Sequence, residues 1–142
     1  MLILATAISA QTKHVPFHRK GSNIVVEVTV DRAMRHFLLD TGSGVTVLSP
    51  DTAGRSAVDV KTTAGARRLG VQLDGTTHSM GSGTATLEFG HTMIVTPVAV
   101  ADLTALSKAL NVKLDGVLGQ DVLSQFARVT IDYRNRQLIL EK

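Results

Sequence analysis

The residues whose types and spacing best suit chemistry form a short run in which a carboxylate follows apolar side chains. The run reads Phe37-Leu38-Leu39-Asp40-Thr41-Gly42-Ser43. Its apolar start predicts that Asp40 stands at the end of a buried strand, and Gly42 would let the chain turn tightly just after it. Thr41 and Ser43 add hydroxyl groups beside the acid. Taken alone, the run is equally typical of an ordinary Asx-turn at a strand end.

A second informative run comes much later in the chain. It reads Asp115-Gly116-Val117-Leu118-Gly119-Gln120-Asp121-Val122-Leu123. Its apolar pair Val117 and Leu118 predicts the end of a buried strand at Gly119, and the residues that follow predict a short helix over 121–126. By itself this run is also common in proteins, so neither run alone establishes a function.

The rest of the sequence predicts mainly β-strands, which would have to position these two runs. The chain has 142 residues, 12 glycines, four Phe, one Tyr and no Trp, which suits one compact β-rich domain with an aliphatic core. Apolar alternation and short apolar runs predict strands over 24–30, 35–39, 45–48, 58–63, 67–73, 84–89, 93–100, 129–133 and 137–140.

Helices are predicted to be short and few. Asp102 would cap a helix over 103–110, and Ser49-Pro50-Asp51 has the pattern of a helix start, with Gly54 limiting its length. Residues 11–21 are polar and basic and contain Pro16, which predicts a tail or an irregular edge segment rather than a strand.

Together, in this order and with a β-rich stretch between them, the two runs resemble the retropepsin-like aspartic proteases. That family pairs an apolar-apolar-Asp-Thr-Gly loop with a later apolar-apolar-Gly strand and helix. The resemblance covers residues 23–140, and the strand Thr130-Ile131-Asp132-Tyr133 is similar to that of the single-chain bacterial members. It implies a mostly β fold, a retropepsin-like acid-protease barrel with one or two short helices, in a domain over residues 22–142.

The resemblance also implies an activity, that of an aspartic-type endopeptidase acting on polypeptides. Asp40 would be the catalytic residue, and Thr41, Gly42 and Ser43 would complete the active-site loop. Hydrolysis without a metal needs a base and an acid, and two carboxylates that share one proton can supply both. The sequence contains Asp-Thr-Gly only once, so the pair would come from a two-fold homodimer.

Further roles follow from the same resemblance. Thr41 would bond across the dimer axis, and Ser43 is expected to donate a hydrogen bond to the outer oxygen of Asp40. The strand Val117-Leu118-Gly119 would support the loop. A flap over the substrate is placed at Ala64-Gly65-Ala66, at the tip of a predicted hairpin, with Gly81-Ser82-Gly83 as the alternative.

Other functions are weighed against this one. A non-catalytic dimer could keep the acid-protease fold and either bind a peptide without cutting it or act as a scaffold. A glycosidase-like pair of Asp40 with Asp115 or Asp121 is less favoured, because Asp121 fits a helix start and Asp115 fits a turn.

The composition of the chain argues against several classes of ligand and partner. The chain has no cysteine and five histidines without the spacing of a metal site, so neither a metal nor a cofactor is expected. A net charge of +3 without a basic stripe argues against nucleic acid as a partner.

The apolar run 1–10 is too short for a membrane span. It is similar to the end of a signal peptide without the positive leader, so residues 1–21 are interpreted as a tail from an exported, periplasmic protein; the other interpretation is cytoplasmic.

Overall fold

The computed structural model describes residues 11–55 and 79–142. Within these ranges the chain forms nine strands and three short helices. In chain order they are β1 (Thr12–Lys20), β2 (Asn23–Val30), β3 (Ala33–Leu39), β4 (Val47–Leu48), α1 (Pro50–Arg55), β5 (Ser79–Phe89), β6 (Thr92–Ala101), α2 (Thr104–Leu110), β7 (Gly116–Leu118), α3 (Gln120–Leu123), β8 (Arg128–Asp132) and β9 (Gln137–Glu141). The strands predicted over 58–63 and 67–73 lie outside the described residues.

Six of the strands close into a barrel. The sheet runs in the order β3-β7-β4-β6-β5-β2, and β2 pairs back with β3. Most neighbours are antiparallel, but two pairs run parallel. These are β4 with β6 and β3 with β7, where Leu38 lies opposite Val117 and Leu39 opposite Leu118. The mostly β barrel predicted from the sequence is therefore confirmed.

Strand β2 buries side chains on both of its faces. In β2, Val26 and Val28 point into the barrel, where no part of either side chain is exposed. On the opposite face of the same strand, Val25 packs with residues of α2, including Leu106, in a second apolar cluster. This double burial explains the continuous apolar run Ile24-Val25-Val26 at the start of β2.

The described residues contain three short helices, one more than the family resemblance implied, and each lies where the local sequence predicted a helix. Two of them, α1 and α3, are short because local groups complete little more than one turn. At α1 the hydroxyl of Ser49 accepts a hydrogen bond from the N–H of Thr52 at 3.2 Å, and the Ser49 carbonyl accepts one from Ala53 at 3.0 Å. The helix expected over 121–126 is likewise reduced to the turn Gln120–Leu123.

The segment predicted to be an irregular tail is also different in the structure. Residues Thr12–Lys20 form β1, which lies between β2 and β9. Val15 and Phe17 are buried while their neighbours face solvent, so the strand alternates with only two apolar residues. That pattern was too short to outweigh the basic residues around it. No helix within residues 11–55 and 79–142 is long and apolar enough to cross a membrane.

Candidate active site

Asp40 is held at the rim of the barrel by its neighbours on β3 and β7. Phe37 and Leu38, just before it, are buried in the two apolar clusters. The main-chain N–H of Asp40 donates to the carbonyl of Leu118 at 3.0 Å, which continues the parallel pairing of β3 and β7 by one residue. Asp40 is partly exposed and Thr41 is exposed. The barrel therefore presents a carboxylate to solvent on a fixed backbone.

The Asp40 side chain has one local hydrogen bond. Its Oδ1 accepts from the N–H of Gly42 at 2.9 Å, which is the geometry of an Asx-turn. A Cβ atom on Gly42 would lie 3.2 Å from the same oxygen, so a larger residue would crowd the carboxylate. Among the residues the structure describes, Oδ2 has no hydrogen-bond partner, which leaves that oxygen open to a water molecule or a second acid.

Ser43 does not take the role expected from the sequence. Its side chain is buried, and its hydroxyl donates to the carbonyl of Val45 at 2.7 Å. A hydroxyl has one hydrogen to donate, so the expected hydrogen bond from Ser43 to Asp40 is wrong. Instead, the Ser43 hydroxyl also accepts from the N–H of Val45 at 3.4 Å. Both bonds fold the loop onto itself.

Gly119 lies directly beneath this loop. A Cβ atom built on Gly119 would stand 2.6 Å from the carbonyl oxygen of Val45 and 3.0 Å from that of Ser43, both closer than ordinary contact. The backbone of Gly119 is extended, with φ −105°, a conformation open to any residue. Glycine is therefore needed here for space and not for conformational freedom. Its N–H donates to the hydroxyl of Thr46 at 3.1 Å.

Asp121 completes the attachment of the loop to the start of α3. Its Oδ2 accepts the N–H of Thr46 at 2.9 Å, and its Oδ1 accepts the hydroxyl of Thr46 at 2.6 Å. Next to Asp121, the main-chain N–H of Gln120 donates to the Ser43 carbonyl at 2.8 Å. The side-chain amide of Gln120 donates to the Thr41 carbonyl at 3.0 Å. We name residues 118–121 the support segment; these hydrogen bonds fix the loop 40–46 from one side.

Thr46, Gln120 and the second role of Asp121 were missed in the sequence. The available signal was the hydroxyl of Thr46 in an otherwise apolar stretch, where it is fully buried. A buried hydroxyl requires a partner, and a carboxylate at a nearby helix start is a suitable acceptor. The sequence predicted that the two segments meet, but nothing in it indicated that these particular side chains would pair.

Asp115 and Asp121, the two acids considered as partners of Asp40 in a glycosidase-like pair, form hydrogen bonds with other residues. Both oxygens of Asp121 bind Thr46. Asp115 is buried and binds the main chain of His36, in the middle of β3, through its N–H and its Oδ2. Its other oxygen receives the Thr52 hydroxyl at 3.3 Å and lies 3.9 Å from the Arg35 guanidinium. Asp115 is thus a buried structural acid rather than a simple turn residue.

The two flap positions have different outcomes. Ala64-Gly65-Ala66 lies outside the described residues. The alternative, Gly81-Ser82-Gly83, is not at a hairpin tip but inside β5, where it pairs with Val98–Val100 of β6.

One cleft lies away from Asp40. A cleft of about 750 Å³ between α1 and α2 is lined by Pro50, Leu103, Lys108 and Lys113 among others, and not by the loop 40–46. Within residues 11–55 and 79–142, no group of three or more His, Asp or Glu side chains is placed to hold a metal ion.

Comparison with known proteins identifies the class to which this fold and loop belong. The structure is similar to a retropepsin-like aspartic protease from Rickettsia conorii, with a TM-score of 0.61, 17% identity, and coverage of 94% of this chain and 93% of that one. It is similar to the retroviral protease-like domain of Ddi1 from Leishmania major, with a TM-score of 0.54, 20% identity, and coverage of 84% and 94%. It is also similar to the EIAV protease in complex with the inhibitor HBY-793. The TM-score is 0.54, the identity is 20%, and the match covers 76% of this chain and 91% of that one.

The sequence itself gives the same family. The aspartyl protease family profile matches residues 26–122, which include the loop 40–46 and the support segment. The chain therefore belongs to the aspartyl protease family, and its fold is retropepsin-like. No curated protein is detectably similar to it in sequence.

Proposed function

We propose that this protein is an aspartic endopeptidase, which hydrolyses polypeptides with a water molecule held between two Asp40 carboxylates of a homodimer. The observation that carries the proposal is the position of Asp40 itself. It stands at the rim of the barrel, its Oδ2 is open among the described residues, and the loop around it is fixed by the support segment. The family and the fold support the same chemistry.

The dimer is part of the proposal because one chain supplies one such loop. Two carboxylates close together cannot both ionise easily, so one keeps a proton that the other lacks. Aspartic proteases are the standard case of this proton sharing. Exposure of Thr41 and Gly42 at the tip of the loop leaves a surface on which a second loop could approach.

The proposed reaction needs no group beyond these side chains. The ionised Asp40 takes a proton from water, and the oxygen of that water forms a bond to the peptide carbonyl carbon. The protonated Asp40 gives its proton to the carbonyl oxygen. The C–N bond then breaks as the nitrogen receives a proton from the first carboxyl group, while a hydroxyl group of the tetrahedral intermediate returns its proton to the second Asp40 carboxylate. This restores the pair with one shared proton. Ala64-Gly65-Ala66 is the proposed flap that would cover the substrate.

The test is the substitution Asp40→Asn, assayed with casein and with a peptide substrate. The asparagine side chain has nearly the same shape but cannot share a proton, so proteolysis should be lost while thermal unfolding is unchanged. Asp31→Asn is a matched control, because Asp31 is exposed and its φ of 48° suits asparagine. Cleavage by the Asp40→Asn protein at the wild-type rate would refute the assignment. Peptide binding without cleavage by the wild type would favour the non-catalytic dimer.

A further inference from the structure

The end of β1 and the turn between β8 and β9 bring together four cationic side chains from distant parts of the sequence. Arg19 and Lys20 are the last residues of β1. Arg134 and Arg136 lie in the turn between β8 and β9. Strand β1 pairs antiparallel with β9, and the main-chain N–H of Phe17 donates to the Arg136 carbonyl at 3.0 Å, so these two parts of the chain lie side by side. We name the four cations the basic rim.

The positive charge of the basic rim is not neutralised by the rest of the described chain. None of its four side chains forms an ion pair with a carboxylate within residues 11–55 and 79–142. The neighbouring carboxylate of Asp132 accepts hydrogen bonds from Asn135. Residues 19–20 and 132–136 together carry four positive charges and one negative charge, which equals the net charge of +3 of the whole chain. The folded protein therefore concentrates its excess charge at one place.

The basic rim lies at the same end of the barrel as Asp40. Lys20 lies opposite Asn23 in the pairing of β1 with β2. In the pairing of β2 with β3, Val25 lies opposite Leu38, and the same register continued by two residues sets Asn23 opposite Asp40. Residues that lie opposite each other in antiparallel strands have their side chains on one face. Lys20 therefore shares a row and a face with Asp40, at a distance of two strand spacings, about 10 Å.

We propose that the basic rim selects substrates, so that the protein cleaves polypeptides with acidic residues about three to five positions from the scissile bond. An extended peptide advances about 3.3 Å per residue, so a chain bound at Asp40 reaches Lys20 in about three residues. The turn with Arg134 and Arg136 lies beside β9, one strand farther out, which adds about 5 Å, or one to two residues. The inference rests on the proposed function and adds a class of substrate to it.

The two-fold symmetry of the proposed homodimer extends this selection to both ends of a bound peptide. Each chain contributes one basic rim, and a two-fold axis through the paired Asp40 residues sets the two rims on opposite sides of the scissile bond. Acidic residues before and after the bond should therefore both favour cleavage.

The surroundings of Tyr133 favour an acidic polypeptide over nucleic acid as the partner. Single-stranded nucleic acid binds where bases can stack on open aromatic faces along a basic groove. The guanidinium of Arg19 already lies over the Tyr133 ring, 5.7 Å from its centroid, and Phe17 meets the same ring at an interplanar angle of 77°. A guanidinium also matches a carboxylate in a two-point contact, and the basic rim borders a site proposed to bind polypeptide.

The experiment compares three synthetic versions of one casein peptide that the wild type cleaves. They carry Glu, Gln or Lys at three, four and five positions on each side of the cleaved bond. Exposed ion pairs each change an equilibrium by a factor of about 1.4–5, so kcat/KM at low salt should be roughly tenfold higher for the Glu version than for the Gln version. The difference should shrink in 1 M NaCl, where the Debye length is only about 3 Å. Equal kcat/KM for the two versions would overturn the inference and leave the protease proposal standing, because both peptides are cut.

Charge reversal tests whether the basic rim is the source of the preference. A full chain with both Lys20→Glu and Arg134→Glu should prefer the Lys version to the Glu version, a reversal that a general loss of stability cannot produce. Lys108→Glu is the matched control, because Lys108 is an exposed residue of α2 in the cleft that the loop 40–46 does not line. It should keep the wild-type preference. A double variant that still prefers the Glu version would refute the role of the basic rim.

Binding measurements separate this inference from the proposed function. Fluorescence anisotropy compares rhodamine-labelled hexaglutamate with its glutamine counterpart, with an oligouridylate and with phosphatidylserine vesicles as competitors. Tighter binding of hexaglutamate by a wild type that cleaves nothing, lost in the double variant, would refute the protease and support an acidic-peptide surface. Displacement of hexaglutamate by the oligouridylate or by the vesicles at lower concentration than by unlabelled hexaglutamate would overturn the choice of partner.

Discussion

Replacement of Gly119 by alanine should damage the loop that carries Asp40 without disturbing the backbone conformation of residue 119. The added Cβ atom would stand 2.6 Å from the Val45 carbonyl oxygen, whereas ordinary contact begins at 3.4 Å. Because the obstructing atoms are backbone, the loop must move by about 0.8 Å, the difference between those two distances. Overpacking of this kind costs about 1–3 kcal/mol.

The same displacement should cost more in catalysis than in stability. A misplacement of about 1 Å in a catalytic constellation lowers the rate by roughly 10²-fold. We therefore expect Gly119→Ala to fold, to lose about 1–3 kcal/mol of its free energy of unfolding, and to retain on the order of one per cent of the wild-type kcat/KM on a peptide substrate.

Urea unfolding and peptide cleavage by the same preparation measure the two effects. Gly54→Ala is the matched control. Gly54 lies in α1, and its added Cβ atom would meet nothing within 4 Å. Alanine there should leave activity unchanged and stabilise the protein by about 0.5–1 kcal/mol. A Gly119→Ala protein with wild-type stability and turnover would show that the close approach to Val45 does not constrain the loop.

The remaining predictions concern other parts of the same molecule. Ser43→Ala should lower the free energy of unfolding by ~1 kcal/mol through loss of the bond to Val45. It should leave the acidic limb of the pH–rate profile in place. A limb that moved to higher pH would be evidence that Ser43 does contact Asp40. The hydroxyl and the N–H of Thr104 hold the pKa of Asp102 below its usual 3.8. This carboxylate therefore stabilises the fold above that pH and less as the pH falls below it, so the stability of Asp102→Asn should approach that of the wild type on acidification. A constant difference would refute this linkage. Specific activity should fall on dilution below the dimer dissociation constant; full activity of a sedimenting monomer would refute the two-chain site.

The sequence predicted the barrel strands and the turn after Asp40 well because their signals are local. A buried strand shows itself as a continuous apolar run, and the glycine after Asp40 marks the turn directly. The strand β1 was missed for the complementary reason, since Val15 and Phe17 are the only residues of that strand which the core buries.

The predictions that failed at the site concern the hydrogen-bond partners of polar side chains. In one case a nearby acceptor competed for the hydroxyl, and in the others the partner lies far away in the sequence. For the Ser43 hydroxyl, the carbonyl of Val45 lies two residues away, and a local acceptor of this kind competes effectively with a side chain across the loop. Thr46 and Asp121 are separated by 75 positions, so no periodicity can connect them. Asp115 was predicted as a turn residue because burial of a carboxylate depends on partners such as Arg35 that only the fold brings near.

The position of β1 between β2 and β9 also bears on how the chain folds as it is synthesised. On the ribosome β1 emerges together with β2, but its other neighbour, β9, is made more than 100 residues later. Contacts between such distant segments form slowly. Until β9 emerges, β1 is itself a free edge that could pair with another nascent chain. The β8–β9 hairpin therefore completes the pairing of a strand made much earlier, and a chain interrupted before Gln137 should aggregate even though the six strands that close the barrel are already present.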